Sequence, residues 1–106
     1  MKLTIIPGNA LRGEIRMPGD KSLSHRAILF SAFADGESRI ENFLVSGVTQ
    51  VMLNALSALG VGWEITGDVL TVAGSGLAGI RPPREPLYCG NSATTIRLLA
   101  GALAAA

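Results

Sequence analysis

The chain has 106 residues, with 9 Lys plus Arg against 8 Asp plus Glu and a net charge of +1, which leaves no electrostatic case for nucleic acid or an anionic membrane as its principal partner. It is 48% hydrophobic but only 5% aromatic, too apolar for disorder and apolar enough that part of its surface is expected to pack against further protein. One cysteine excludes an internal disulfide, one histidine excludes a histidine-based metal cluster, and the longest apolar run, Leu98–Ala106, is far shorter than a membrane span, so the expected class is a soluble, cytoplasmic α/β chain.

Lys2–Ile6 is a short run with β-branched residues, followed at once by Pro7 and Gly8 rather than by a signal-peptide core. Leu11, Gly13, Ile15 and Met17 alternate with Arg12, Glu14 and Arg16, the period of a half-buried strand that Pro18-Gly19-Asp20 then breaks. From Ser24 the period becomes helical through Ala27, Ile28, Leu29, Ala32 and Phe33, with Ser22 or Ser24 as the expected N-cap and Asp35-Gly36 as the stop. Arg39–Leu44 reads as a strand. Ser46 caps a second expected helix carrying Val48, Val51, Met52, Ala55, Leu56 and Leu59, and Gly60 ends it where a left-handed residue is wanted.

Gly62–Thr66 and Val69–Ala73 form an expected hairpin around Gly67-Asp68. Gly74–Pro86 reads as loop and Leu87–Cys89 as a brief strand. Asn91 or Ser92 then caps a third helix from Thr94 onward. That helix reaches Ala106 with no Gly or Asn stop and no polar tail, which predicts a break in a longer parent chain; a frayed terminal helix is the other explanation.

Two segments carry chemistry. In Pro18-Gly19-Asp20-Lys21-Ser22-Leu23-Ser24-His25-Arg26 a Pro-Gly turn enters a helix, whose first amides are unpaired and whose dipole is positive. Lys21, Ser22 and Arg26 add two cations and a hydroxyl to this anion site, and Ser22 and Arg26 stand one turn apart. Arg suits a carboxylate through its planar fork, and Lys suits a phosphate as a point charge. An ordinary capped helix with solvated charges has the same spacing. Cys89-Gly90-Asn91-Ser92-Ala93-Thr94-Thr95-Ile96-Arg97 opens another helix with small polar residues and offers a second anion site, although a Ser or Asn cap explains Asn91 and Ser92 equally well. Arg97 on an apolar helix needs a partner or a wet edge. His25, with no carboxylate near it in sequence, reads as structural rather than as a general base. Cys89 reads as a small strand-buried hydrophobe, Trp63 and the methionines as core or interface packing, and Asp20 and Glu41 as surface charges.

In these segments the chain resembles the 5-enolpyruvylshikimate-3-phosphate synthase family. The likeness rests on Pro18 through Ala27, on Gly36 with Asn42-Phe43-Leu44 and Ser46, on Ala55-Leu56 with Leu59-Gly60-Val61, and on Gly90 through Leu98, in the family's order over nearly the whole chain. The resemblance implies an α/β fold of two similar domains, each of three βαβαββ units, an inside-out barrel with helices inside and sheets outside. This chain would supply roughly the first quarter: residues 1–18 as strands crossing to the second, C-terminal domain, and 19–106 as the first unit of the N-terminal domain plus the helix opening the next. The implied reaction moves the enolpyruvyl group of phosphoenolpyruvate to the 5-hydroxyl of shikimate 3-phosphate through a tetrahedral intermediate, with loss of phosphate and no metal or organic cofactor.

By motif match Lys21 resembles the catalytic lysine touching both substrates, and Ser22 and Arg26 resemble residues binding the shikimate moiety. Asn91, Ala93 and Thr94 resemble the loop beside phosphoenolpyruvate. Ala93 stands where many members have Gly, which predicts insensitivity to the inhibitor glyphosate. Gly47 and Val48 stand where many have an Asp, which removes a carboxylate from the vicinity of the cleft. Two other functions fit the residues less closely. One is the sister transferase acting on UDP-N-acetylglucosamine, which carries Asn where this chain has Ser22; the other is a non-catalytic interaction module built on the same fold piece. The implied partners are the two small substrates and a complementary C-terminal fragment or remainder of the enzyme, without which the chain is expected to be inactive.

Overall fold

A computed structural model describes residues 1–106. Three helices, α1 (Lys21–Phe33), α2 (Gly47–Ala58) and α3 (Ala93–Leu103), and three strands, β1 (Asp35–Ile40), β2 (Gly62–Thr66) and β3 (Val69–Ser75), form the fold, with one 3-10 turn at Leu77–Gly79. The strands make one antiparallel sheet in the order β1-β3-β2. Register places Ile40 and Ile65 on either side of Leu70, and Ser38 and Trp63 on either side of Val72. With a side-chain period of two, that row forms one face of the sheet. Both helices α1 and α2 pack on the sheet, and α3 packs against both of them.

The core follows from these periods. Ile28, Leu29 and Ala32 of α1, Met52, Leu53, Ala55 and Leu56 of α2, Leu70 and Val72 of β3 and Leu99 of α3 are buried in one cluster with Phe43, Leu59 and Val61. Each large aliphatic side chain in it contributes about 1.5–3 kcal/mol of burial. Half-buried Trp63 ties β2 to α2, its indole N–H donating to Leu53 O at 3.0 Å and to Ser57 Oγ at 2.7 Å.

The second helix and the hairpin form where expected. Ser46 caps α2 in a reciprocal box with Thr49, and Gly60 takes φ 89° just past its end. The third helix starts at Ala93 under Ser92, whose Oγ accepts from Thr95 N.

Four expectations need correction. The first helix starts at Lys21, capped by Asp20 and not by Ser22 or Ser24: Asp20 Oδ1 accepts from Leu23 N at 2.7 Å. Ser24 is buried, and its hydroxyl accepts instead from Leu44 N at 3.1 Å. The strand expected over Arg39–Leu44 lies over Asp35–Ile40, because β3 fixes the register from Asp35↔Ser75 to Ile40↔Leu70 and Asn42 turns the chain away at φ 56°. Phe43 is then a buried loop anchor, its N–H donating to Asp68 O at 2.8 Å. Leu87–Cys89 forms no strand, since Pro86 and the positive φ of Gly90 leave no run to pair; Leu87 packs on the core from an irregular loop, and Cys89 is half-buried and free. Lys2–Ile6 and Leu11–Met17 have no ladder partner here, and a strand does not exist without one.

Residues 1–18 are exposed throughout. They account for much of an accessible surface of 7643 Å², where a compact protein of this mass would expose about 5,600 Å². Exposed large apolar side chains include Leu3, Ile5, Ile6, Leu11 and Ile15, and on the helices Leu23, Phe30 and Ile96.

Gly74 is where α1 meets the sheet. A Cβ at this position would collide with the backbone carbonyls of Ser31 and Ala34, neither of which can swing aside. Gly74→Ala is expected to destabilise the fold by about 1–3 kcal/mol through forced separation of α1 from β3. Urea unfolding of the variant measures this, and an unchanged midpoint would contradict the close approach.

Candidate functional site

The Pro18-Gly19 turn delivers the chain to α1, and it is pinned. A Cβ on Gly19 would lie 2.5 Å from Asn42 O and 2.7 Å from Leu44 N, so only glycine fits against the corner that follows β1. Asn42 Nδ2 also donates to Met17 O at 3.1 Å. The start of α1 therefore has a fixed position relative to the sheet.

On that start the structure gathers Lys21, Ser22 and Arg26, all exposed. Arg26 reaches back one turn, its Nη1 donating to Ser22 O at 3.0 Å, so the guanidinium lies over the first turn. The two ion pairs of the molecule, Arg16–Asp68 at 3.5 Å and Arg39–Glu41 at 3.1 Å, involve neither Lys21 nor Arg26. Two cations without carboxylate partners thus flank backbone amides that a helix start leaves unpaired, an arrangement suited to anions.

Asn91, Ala93 and Thr94 lie at the start of α3, with Asn91 and Ala93 exposed and Thr94 half-buried. Behind them Ser92 Oγ and Thr95 Oγ1 are 2.8 Å apart in a buried pair that holds the turn. Helix α3 packs on α1, but no side-chain hydrogen bond or ion pair joins the two groups of site residues. Arg97 is exposed and unpaired, so it has found the wet edge it needs. The first turn of α2, with exposed Gly47 and half-buried Val48, carries no acid.

None of the site residues lines either main concavity. A groove of about 740 Å³ runs between α2 and the 81–88 loop, past Arg81, Arg84 and Tyr88, and a crevice of about 380 Å³ lies between the Pro-Gly turn and Asn42–Phe43. The site residues instead occupy open surface, and their unpaired charges are stronger evidence of a ligand than either hollow's size. Two features went unread in the sequence. Asp20, taken as a surface charge, is the cap. Asn42, which fastens the turn, left only the weak signal of a residue tolerant of positive φ. His25, read as structural, is fully buried on the core face of α1, with Nδ1 2.8 Å from Lys21 O.

These features define an α/β fold in which a three-stranded sheet backs two helix starts, one of them flanked by the unpaired cations Lys21 and Arg26. The chain belongs to the EPSP synthase (3-phosphoshikimate 1-carboxyvinyltransferase) family, whose sequence profile matches residues 5–106. It is similar to proteins named 3-phosphoshikimate 1-carboxyvinyltransferase from Coxiella burnetii (44% identical over 98% of this chain and 24% of that one) and Nitrosococcus oceani (48% identical, again over 98% and 24%). Among solved structures it resembles EPSP synthase from Acinetobacter baumannii, at 41% identity and a TM-score of 0.80, over 92% of this chain and 22% of that one. The chain therefore spans about a quarter of the length of the relatives it matches.

The cap can be checked directly. Asp20→Ala should cost about 1 kcal/mol of stability and raise amide exchange at Leu23 more than at Leu56, whose helix has its own cap. Equal exchange changes at both amides would mean that Asp20 does not hold this turn.

Proposed function

We propose that this chain forms one wall of the substrate cleft of a transferase that moves the enolpyruvyl group of phosphoenolpyruvate to the 5-hydroxyl of shikimate 3-phosphate. The observation that carries the reading is the first turn of α1, where Lys21, Ser22 and Arg26 are exposed, neither cation is paired with a carboxylate, and the neighbouring Asp20 carboxylate is engaged in capping Leu23 N. Both substrates are polyanions that must lie side by side. A helix start with free cations neutralises them without itself reorganising during the reaction.

In this reading Lys21 touches both substrates, Ser22 and Arg26 hold the shikimate moiety, and Asn91, Ala93 and Thr94 border phosphoenolpyruvate. The 5-hydroxyl oxygen adds to C2 of phosphoenolpyruvate as the hydroxyl loses its proton and C3 gains one, giving a tetrahedral intermediate; C3 then gives up a proton, the bond from C2 to the phosphate oxygen breaks, and the double bond returns as phosphate leaves. Lys21 stabilises charge at the point the two substrates share. The opposite wall, the proton-transferring groups and further phosphate ligands come from the three quarters of the family fold outside this chain. Residues 1–18 serve as strands of the second domain, which gives their alternating apolar side chains a sheet to join, and 19–106 serve as the first unit of the N-terminal domain. The openness of the site supports this division: a surface in contact with bulk water binds small anions weakly.

A chimera tests the reading. This chain replaces the matched quarter of the Nitrosococcus oceani relative, and phosphate release from the two substrates is measured. Turnover by the chimera and none by the 106-residue chain is the expected result; a folded chimera without activity, beside an active relative, would overturn it. Within the chimera, Lys21→Ala should lower kcat by roughly 10²–10³-fold, and Arg26→Ala should chiefly raise the KM for shikimate 3-phosphate.

Ala93 bears on inhibition. Its methyl is on an exposed residue at the first position of α3, where a ligand beside the loop would meet it. Glyphosate is slightly longer than the phosphoenolpyruvate it displaces, so one added methyl excludes it at a cost of about 1–3 kcal/mol in a close-packed site. Ala93→Gly in the chimera should tighten glyphosate inhibition several-fold while turnover persists. An unchanged inhibition constant would show that Ala93 is not the discriminating contact.

A further inference from the structure

His25 occupies a position that packing alone does not justify. It stands on the core stripe of α1 with Ile28, Leu29 and Ala32, at 0% exposure. Its Nε2 is buried and has no hydrogen-bond partner. An apolar side chain at this position would fill the space without leaving a polar atom orphaned, and an orphaned buried atom is a cost a core normally avoids. What an imidazole does that an apolar group cannot is to hold Lys21 O through Nδ1, at 2.8 Å. A carbonyl only accepts, so Nδ1 carries the hydrogen and Nε2 is left as the bare acceptor.

The next carbonyl is gripped in the same way, by Arg26 Nη1 on Ser22 O at 3.0 Å. Asp20 holds Leu23 N from the other side. The turn that presents Lys21 and Ser22 is thus fixed at successive backbone groups by side chains from outside it. Arg26 is the exposed member of this set, and its guanidinium is also the group that would engage substrate. When Arg26 turns to a ligand, His25 is the clamp that stays, since its ring is enclosed.

We propose that His25 is a positioning residue: its Nδ1–H clamps the Lys21 carbonyl and keeps the first turn of α1 in the geometry that presents Lys21 and Ser22 to anions, at the expense of a buried, unpartnered Nε2. The proposal rests on the functional reading above. It adds a role for a group that touches no substrate and moves no proton. A site residue displaced by a fraction of its hydrogen-bond reach loses much of its effect, so the clamp acts on catalysis through Lys21.

Two substitutions in the chimera separate positioning from filling. His25→Asn keeps an N–H on the same γ-branch as Nδ1 but leaves the outer ring volume empty. His25→Leu fills that volume and removes the orphan but has no donor. Asn should therefore lower the unfolding midpoint yet stay within about threefold of the unsubstituted kcat/KM. Leu should keep or raise the midpoint and lower kcat/KM about tenfold or more. Activity that instead follows stability, with Leu better than Asn, would overturn the proposal. A third measurement requires no variant to fold: with only this segment isotopically labelled, its one histidine gives the one imidazole spectrum, and at mildly alkaline pH the nitrogen shifts identify the tautomer. The Nδ1–H form is expected, and the Nε2–H form would overturn the clamp. Absence of turnover by the unsubstituted chimera would overturn the functional reading instead, and the tautomer would then decide the clamp on its own.

Discussion

A helix cannot pair the amides of its own first turn, and what this chain does with three such turns sets the character of the molecule. At α2 the start closes on itself: Ser46 and Thr49 cap each other, and the buried Thr49 hydroxyl also donates to Leu44 O at 2.8 Å. At α3 the buried Ser92–Thr95 pair takes one amide and leaves Ala93 outside. At α1 Asp20 takes the amide of Leu23, while Lys21, Ser22 and Arg26 stay open to solvent. One helix start is spent on the fold and two face outward, one of them charged. The anion-binding reading comes to rest on that difference.

The cations are tolerable because of where the scaffold puts them. The core beneath is ordinary, with aliphatic residues of α1 and α2 packed on Leu70 and Val72 of the central strand. Closeness of α1 to the sheet depends on Gly74 having no side chain, and the direction of its start depends on Gly19 having none. These two backbone contacts grip α1 near both ends. A helix held that way can carry an unbalanced charge at its tip without drifting, which is the demand a preorganised binding site makes of its scaffold.

What could be read from the sequence divides along the range of the interactions. Helix α2 and the β2–β3 hairpin were legible nearly to the residue, because Ser46, Gly60 and Gly67-Asp68 act on neighbours a few positions away. The start of α1 was not, since Asp20, Ser22 and Ser24 are all good caps within five residues; Ser24 is withdrawn from the competition by Leu44, twenty residues on. The strand β1 was placed about four residues late because Phe43-Leu44 looks more like a strand than Asp35-Gly36-Glu37-Ser38 does. The pairing that decides the matter lies in β3, beyond an entire helix and another strand. The site motif was visible as residue types, but the bonds behind it were not. Nothing local shows that Asn42 reaches Met17; helical spacing puts His25 on the face of Ile28, Leu29 and Ala32, but its bond to Lys21 O is not visible in residue types.

The openness of the site has an energetic consequence. Lys21 and Arg26 cost little where they stand, because water solvates them. Any protein surface that comes down over them must strip that water, and with no carboxylate paired to either, the desolvation is uncompensated. An anion lodged at the start of α1 supplies the missing charge. Under the proposed function, a covering wall would therefore close more favourably over an occupied site than over an empty one. Once the wall is down, the lower effective dielectric strengthens each remaining contact several-fold over its value in bulk water.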